Sequence, residues 1–456
     1  MIIKSLTARE ILDSRGVPTV QATLETKRGF FKGACPSGTS SGKHEAVELR
    51  DGGERFFGKG VLKAVKNIED TIANAVLNKE FVNQKDFDDF LIKLDGTENK
   101  SNLGANAILP VSIAFCRALA CEKNQKLFEF IRSIAQSCHS ESRSCHSEGN
   151  PEESHGRGPS LIAQGDKPGI QGDKGISQGD NFSMPIPCFN ILEGGKHAGN
   201  NLEVQEFMVV PLFETFKENL RAAAEVYFYL KLLLIKNFGE TSMNTGYEAG
   251  FAPPFKKTET AFEFLLKAIE KAQYEGKFKI GLDIAASELL HKGEYKVNGK
   301  MLSQEKLVKY YINLNKNYPL AFIEDGFGED DETGWQKLES GIRNQELGII
   351  VVGDDLTVTN PERIKMANQE KLCKGVIIKP NQIGTVTETI MAVNLAKSFS
   401  WKIIVSHRSG ETTDDFIADF AVGVGADFIK TGAPAGGERV AKYNRLLEIE
   451  ESFLSS

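Results

Sequence analysis

Six ionisable side chains in the second half of the chain each close a short apolar run. KIGLD ends on Asp283, LAFIED brings Glu324, IIVVGDD brings Asp354, GVIIK ends on Lys379, KIIVSH on His407 and DFIK on Lys430. Asp283, Glu324 and Asp354 offer hard oxygen donors of the kind Mg²⁺ takes while keeping positions for water and substrate. Three unpaired carboxylates crowded together repel strongly, so such a set asks for a cation. Lys379 and Lys430 then face that metal. A lysine beside a divalent cation and a second ammonium has its neutral form favoured and can serve as a base, although its ordinary pKa is near ~10.4. Past His407 the chain continues Arg408-Ser409-Gly410. An Arg, a hydroxyl and free backbone N–H groups suit a phosphate or carboxylate. His407 has a second reading, as a packed hydrogen-bonding histidine.

The elements that must position these residues are strands alternating with helices. Successive members of the set are 23 to 41 residues apart, about one helix plus one strand each. From about Met184 onward, short Val- and Ile-rich runs alternate with amphipathic stretches. Thr215 with Glu218, Thr260 with Glu263 and Thr385 with Glu388 have capping-box spacing, Asn360-Pro361 supplies a cap and a first-turn proline, and Thr412 with Asp415 opens a further helix. Repeated strand-then-helix units predict a parallel sheet, open or closed, and a (β/α) barrel builds its active site at the carboxyl ends of its strands. The first 132 residues differ. Strand-like Ile2 to Arg9, Thr19 to Thr26 and Gly29 to Cys35 precede helical Gly60 to Val76, Lys85 to Leu94 and Asn106 to Glu122, which predicts an α+β unit. The expected division is therefore 1–132, an insertion at 133–183, and the barrel at 184–456.

That insertion is poor in large apolar residues. SCHSE occurs at Ser137 and Ser144, and QGD at Gln164, Gln171 and Gln178. Neither seven-residue repeat places apolar residues at coiled-coil positions, so the expectation is a disordered surface loop, with zinc bound by the Cys-His pairs as the alternative.

The chain has 456 residues, 41% hydrophobic and 26% charged, with net charge −7. An acidic balance argues against nucleic acid as the main partner. Apolar runs are interrupted by charges well short of the roughly 18 residues a membrane span needs. Arg9, Glu10, Asp13 and Arg15 come too early for a signal peptide, so the expected location is the cytoplasm. Seven cysteines, an odd number, do not suggest a disulfide framework; Cys35, Cys116, Cys121, Cys188 and Cys373 read as reduced, buried thiols.

Longer motifs carry a resemblance. DSRGVPTV at Asp13, PSGTSSGKHEA at Pro36, LGANAILPVS at Leu103, GGKHAG with VQEFM between Gly194 and Met208, GLDIAASE at Gly281, IEDGFGEDD at Ile323, GDDLTVTNPERI at Gly353, IKPNQIGT at Ile378, SHRSGET at Ser406 and IKTGAPA at Ile429 resemble the enolases, the phosphopyruvate hydratases of glycolysis. The resemblance spans everything except the repeat segment. It implies an α+β domain followed by a TIM-like α/β barrel of the enolase type, a homodimer or higher homo-oligomer, and Mg²⁺-dependent interconversion of 2-phosphoglycerate and phosphoenolpyruvate. By that resemblance Asp283, Glu324 and Asp354 hold a Mg²⁺ on the substrate carboxylate, Lys379 removes the α-proton, and Glu248 is the acid that helps the hydroxyl leave. Glu206 and His407 join them as catalytic residues, Gln205, Glu206, His197, Lys379, Arg408, Ser409 and Lys430 line or contact substrate, and Ser40 closes over a second, catalytic Mg²⁺. His197 has the alternative of only ordering its Gly-rich loop.

Three departures from the family pattern stand out. Where most enolases have GDEGG, this chain has Gly246-Tyr247-Glu248-Ala249-Gly250; a glycine that needs φ above zero would leave Ala249 strained. The Tyr247 ring is expected to keep the acid protonated by desolvation. Gly436-Gly437 stand where an Arg and a small polar residue are usual, and the long insertion is the third. A dehydratase for an unphosphorylated acid sugar and an impaired binding protein remain as rival readings.

Overall fold

The computed structural model describes residues 1–39, 42–144 and 182–454. Ser40 and the greater part of the repeat segment, with its disorder and zinc readings, lie outside them.

The chain begins with an antiparallel meander of β1 (Ser5–Leu12), β2 (Pro18–Thr26) and β3 (Gly29–Ala34). Alternation along β2 buries Val20, Ala22 and Leu24 on one face, as a two-residue period requires. The helix Ala105–Glu122 covers that face closely: a Cβ on Gly33 would fall 2.2 Å from the Pro110 carbonyl, so only glycine permits this approach. That helix is long and apolar enough to cross a bilayer, but 83% of it is buried in this core. The stretch expected as one helix from Gly60 to Val76 is α-helical at Leu62–Lys66 and Ala73–Val76 with a π-helical turn, Asn67–Ile72, between them.

The second unit is a closed eight-stranded barrel. Its strands are β4 (Ile186–Glu193), β5 (Glu206–Pro211) and β6 (Phe278–Asp283); then, after a small sheet of β7 (Leu290–His291), β8 (Glu294–Val297) and β9 (Lys300–Leu302), come β10 (Leu320–Glu324), β11 (Ile350–Gly353), β12 (Gly375–Ile378), β13 (Lys402–Ser406) and β14 (Phe428–Lys430). The barrel closes through β14 and β4. It is not wholly parallel as expected: β5 runs antiparallel to both β4 and β6. The β4–β5 connection holds only a 3₁₀ turn at Gly195–His197, and without a crossover helix the next strand must return in the opposite direction. Cys188, Met208, Val210, Phe322, Val352, Ile377, Ile404 and Phe428 fill the interior, a packed core and not a pore.

Local signals hold unevenly. The Thr215 and Thr385 hydroxyls accept the backbone N–H groups of Glu218 and Glu388, and Asn360 caps the helix beginning at Pro361. Thr260 instead lies inside the helix Thr258–Lys271, whose N-cap position is Lys257. Thr412 does not cap the helix itself: its hydroxyl accepts the Asp414 N–H at 3.2 Å, the helix Phe416–Val424 follows Asp415, and Asp414 accepts the Phe416 N–H. The helix Leu127–Ser144 continues past residue 132, because Ile131 and Ala135 remain buried and the Ala135 carbonyl accepts from Asn394 on the barrel. Cys121 is exposed, against expectation; it lies at the last turn of Ala105–Glu122, beyond the buried face. Cys35, Cys116, Cys188 and Cys373 are buried, and burial pushes their thiols up.

Arg117 bonds Asp414 and Asp415 across the two units, and Lys100 pairs with Glu388 at 2.9 Å. Ser37 and Gly410 exchange two backbone hydrogen bonds of 2.8 and 2.9 Å, so the N-terminal unit is fastened to the loop that follows β13.

Candidate active site

The strand-end pattern holds in three dimensions. Asp283, Glu324 and Lys430 are the last residues of β6, β10 and β14, and Asp354, Lys379 and His407 stand one past β11, β12 and β13. Because β5 runs in reverse, its first residue, Glu206, reaches the same end, with Gln205 before it. All of these except Glu324 line one cavity together with His197, Glu248, Arg408 and Ser409. Glu324 is fully buried directly beneath. Every candidate site residue except Ser40, which lies outside the described residues, is thus brought together.

Lys430 is the pivot of the acidic side. Its Nζ is 2.7 and 2.9 Å from the Glu324 oxygens, 3.1 Å from Glu206 Oε2 and 3.7 Å from Asp283 Oδ2. Burial, reinforced by the neighbouring carboxylates, pushes Glu324 well above the ordinary range and Asp283 up to about 6. Burial also raises Asp354, but Lys379 and Lys430 outweigh it and hold that carboxyl below its usual value. Lys379 pairs directly with Asp354. Burial and the neighbouring cations lower Lys379, as expected from the sequence, and the Asp354 charge outweighs them and raises it; a cation held by Asp354 would take up that charge and leave the lowering influences to act.

This donor set fits a divalent cation. Three buried carboxylates are neutralised by only two ammoniums, an arrangement that a dication relieves. Asp325, Asp354 and Asp355 also bring oxygens within 4.8 Å of one another. The Asp325 oxygens, however, already accept the backbone N–H groups of Asp354 and Asp355 at 2.9 and 2.8 Å, which makes Asp325 a brace for the loop.

On the opposite side, Glu248 is buried among polar partners. Its Oε2 accepts from Asn190 at 3.1 Å and lies 3.0 Å from His407 Nε2, while Oε1 faces His197 Nδ1 at 3.6 Å. Burial pushes the Glu248 carboxyl up, but His407 and His197 outweigh it and hold it well below the ordinary range. Burial likewise opposes charge on His197, yet Glu248 and Glu206 raise it to about 9. Tyr247 does not desolvate the acid as expected. It is 45% exposed, its ring centred 6.3 Å from that of His197, because consecutive residues of this tight loop point in different directions.

Glu193 organises that loop and was not found by sequence reasoning. Its carboxylate accepts the N–H of Gly250 at 2.7 Å and of Glu248 at 3.1 Å. A Cβ on Gly246 would lie 2.3 Å from it. The signal was available, since Glu193 ends β4 just as the other six end or follow their strands. Ala249 has φ of +66°, so the glycine usual here is indeed at a left-handed position. That conformation costs an L-residue roughly 1–2 kcal/mol. Ala249→Gly is expected to raise stability by about 1 kcal/mol, read as a higher denaturant midpoint with unchanged slope; an equal or lower midpoint contradicts strain at this position.

The anion-binding side is built from both units. Arg408 is buried, bonding Glu45 at 2.9 and 3.3 Å and Asn381 at 3.0 Å. The Ser409 hydroxyl lies 2.6 Å from that of Thr39. Glu45 and Arg439 were also missed: Glu45 belongs to the N-terminal unit, and Arg439 sits on the helix Gly437–Leu454, where no strand-end rule points. Gly436, at φ +82°, accepts the Arg439 N–H, so the unusual Gly-Gly pair starts this helix.

A barrel with this acid-lysine floor and an α+β unit fastened over its mouth defines a lyase of the enolase type. The enolase N-terminal domain model matches residues 3–131, and the model of the enolase C-terminal TIM barrel domain matches residues 181–456. The chain is similar to Enolase 1 of Entamoeba histolytica, 43% identical over 467 aligned positions that cover 99% of this chain and 97% of that protein. The chain belongs to the enolase family.

Proposed function

We infer that the chain catalyses the reversible dehydration of 2-phospho-D-glycerate to phosphoenolpyruvate. The observation that carries this is one cavity lined by Asp283, Asp354, Lys379, Glu248, Arg408 and Ser409 in a chain matching both enolase domains. Asp283, Glu324 and Asp354 would hold a Mg²⁺, and a second, catalytic Mg²⁺ belongs with Ser40. When bound, the metal supplies fixed positive charge at the substrate carboxylate as negative charge builds there. Lys379 takes the proton from the carbon beside that carboxylate. Glu248, held ionised by its partners, must first take up a proton, which it then gives to the departing hydroxyl while His407 orients it. Arg408 and Ser409 bind the phosphate, Gln205 and Glu206 shape the wall between Asp283 and Lys430, and Lys430 balances the buried acids. His197 stands over both Glu206 and Glu248, with Nδ1 3.3 Å from the former. Family membership supports a homodimer acting in the cytoplasm.

The test follows phosphoenolpyruvate formation spectrophotometrically. Activity is expected on the phosphorylated substrate, lost after chelation and restored by Mg²⁺. Turnover of an unphosphorylated acid instead points to another dehydratase, and no turnover at saturating Mg²⁺ points to an impaired, binding-only protein.

A further inference from the structure

The pair formed by His407 and Glu248 has a third member whose chemistry determines where protons sit. Arg439 is fully buried. Its Nη1 lies 2.6 Å from His407 Nδ1 and 2.7 Å from the Arg408 carbonyl, and its Nη2 reaches the carbonyls of Tyr247 at 2.9 Å and Ser409 at 2.7 Å. One guanidinium thus ties the acid's own loop to the Arg408–Ser409 loop.

A guanidinium has five donors, no acceptor, and does not lose its proton in proteins. His407 Nδ1 must therefore be the bare, accepting nitrogen. The ring's remaining hydrogen is on Nε2, which donates to Glu248 Oε2. That oxygen already accepts from Asn190, so two donors converge on it. A proton on Glu248 then has only Oε1 available, the oxygen facing His197 and the cavity. Burial, with the Arg439 charge beside it, outweighs the opposing Glu248 charge and lowers His407 to about 4, in keeping with a neutral ring that holds Glu248 through its Nε2–H. The ring is buried and held at both nitrogens, by Arg439 at Nδ1 and Glu248 at Nε2, which fixes its orientation.

We propose that Arg439 is a positioning residue for the acid: by donating to His407 Nδ1 it fixes the Nε2–H tautomer, which keeps Glu248 Oε2 an acceptor and directs the acid's proton to Oε1, toward the leaving hydroxyl. Without this donor, His407 can carry its hydrogen on Nδ1 and present bare Nε2 to Glu248. The carboxyl proton then settles on Oε2, pointing away from the substrate.

The inference rests on Glu248 being the acid, so its test has two independent readouts. The first is ¹⁵N NMR of the ¹⁵N-histidine-labelled full chain, with the His407 signals assigned by their absence in His407→Gln. Wild type is expected to show bare Nδ1 and protonated Nε2, and a protonated Nδ1 overturns the proposal whatever Glu248 does. The second compares dehydration with exchange of the substrate α-proton. Arg439→Gln, whose amide oxygen can accept from Nδ1–H, is expected to lower dehydration on the order of ten- to a hundredfold relative to exchange, part of what a general acid contributes. Arg439→Lys, a pure donor, is expected to restore most of that ratio. Equal loss of both rates in Arg439→Gln, or no rescue by Lys, reduces Arg439 to a structural brace. If Arg439→Gln fails to fold, the wild-type tautomer still decides. A Glu248→Gln enzyme that keeps dehydration overturns the acid assignment while leaving the tautomer result standing.

Discussion

Lys379→Ala is expected to abolish exchange of the substrate α-proton with solvent deuterium, with a loss of turnover of about a thousandfold or more, while Mg²⁺-dependent substrate binding remains measurable. A base that acts in the transition state contributes to kcat far more than to ground-state affinity. The geometry supports the separation. Lys379 stands one residue past β12 at the cavity wall, whereas the phosphate-binding candidates Arg408 and Ser409 are held by Glu45, Asn381 and Thr39, none of which depends on the lysine. Deletion does remove the partner of Asp354, which is why the measurement is made at saturating Mg²⁺. Retained deuterium exchange in the variant would show that another group is the base, and Lys430, surrounded by Glu206, Glu324 and Asp283, is the alternative to examine.

Glu248→Gln is expected to separate the two halves of the reaction. Exchange at the α-carbon survives, while dehydration falls by about 10²- to 10⁴-fold, the usual contribution of a positioned general acid. The amide is a fair isostere here. Its oxygen can still accept from Asn190 and from His407 Nε2, and its backbone N–H still bonds Glu193, so the loop should keep its shape. Only the transferable proton is lost. Rapid-quench product formation set against deuterium incorporation reads both steps in one preparation, and equal loss of the two contradicts the assignment. The same experiment bears on the altered loop: Tyr247 is too exposed to tune the acid by burial, so activity in the wild type depends on Glu193, His197, His407 and Arg439 holding Glu248 without the usual acidic neighbour.

Much of this site is legible in the sequence. Alternation of apolar runs with capped helices is a local pattern, and the residue at the carboxyl end of each parallel strand must face the barrel mouth. Asp283, Glu324, Asp354, Lys379, His407 and Lys430 were therefore placed by spacing alone, and the longer motifs identified the family. What depended on tertiary structure was everything set by strand direction and closure. Glu206 faces the site only because β5 runs backward, which no period in the sequence states. Lys430 meets Glu206 across 224 positions, and Arg439 meets the Tyr247 carbonyl across 192. Contacts of that separation arise when the barrel closes and the last helix, packed against the helices Phe416–Val424 and Phe216–Phe238, brings its first turn to the site. The charge states follow the same rule. Proximity to Asp354 raises Lys379 against burial and its cationic neighbours, and a guanidinium that can only donate decides which nitrogen of His407 holds its hydrogen, because pair interactions between ionisable groups depend on distance in space and not on order along the chain.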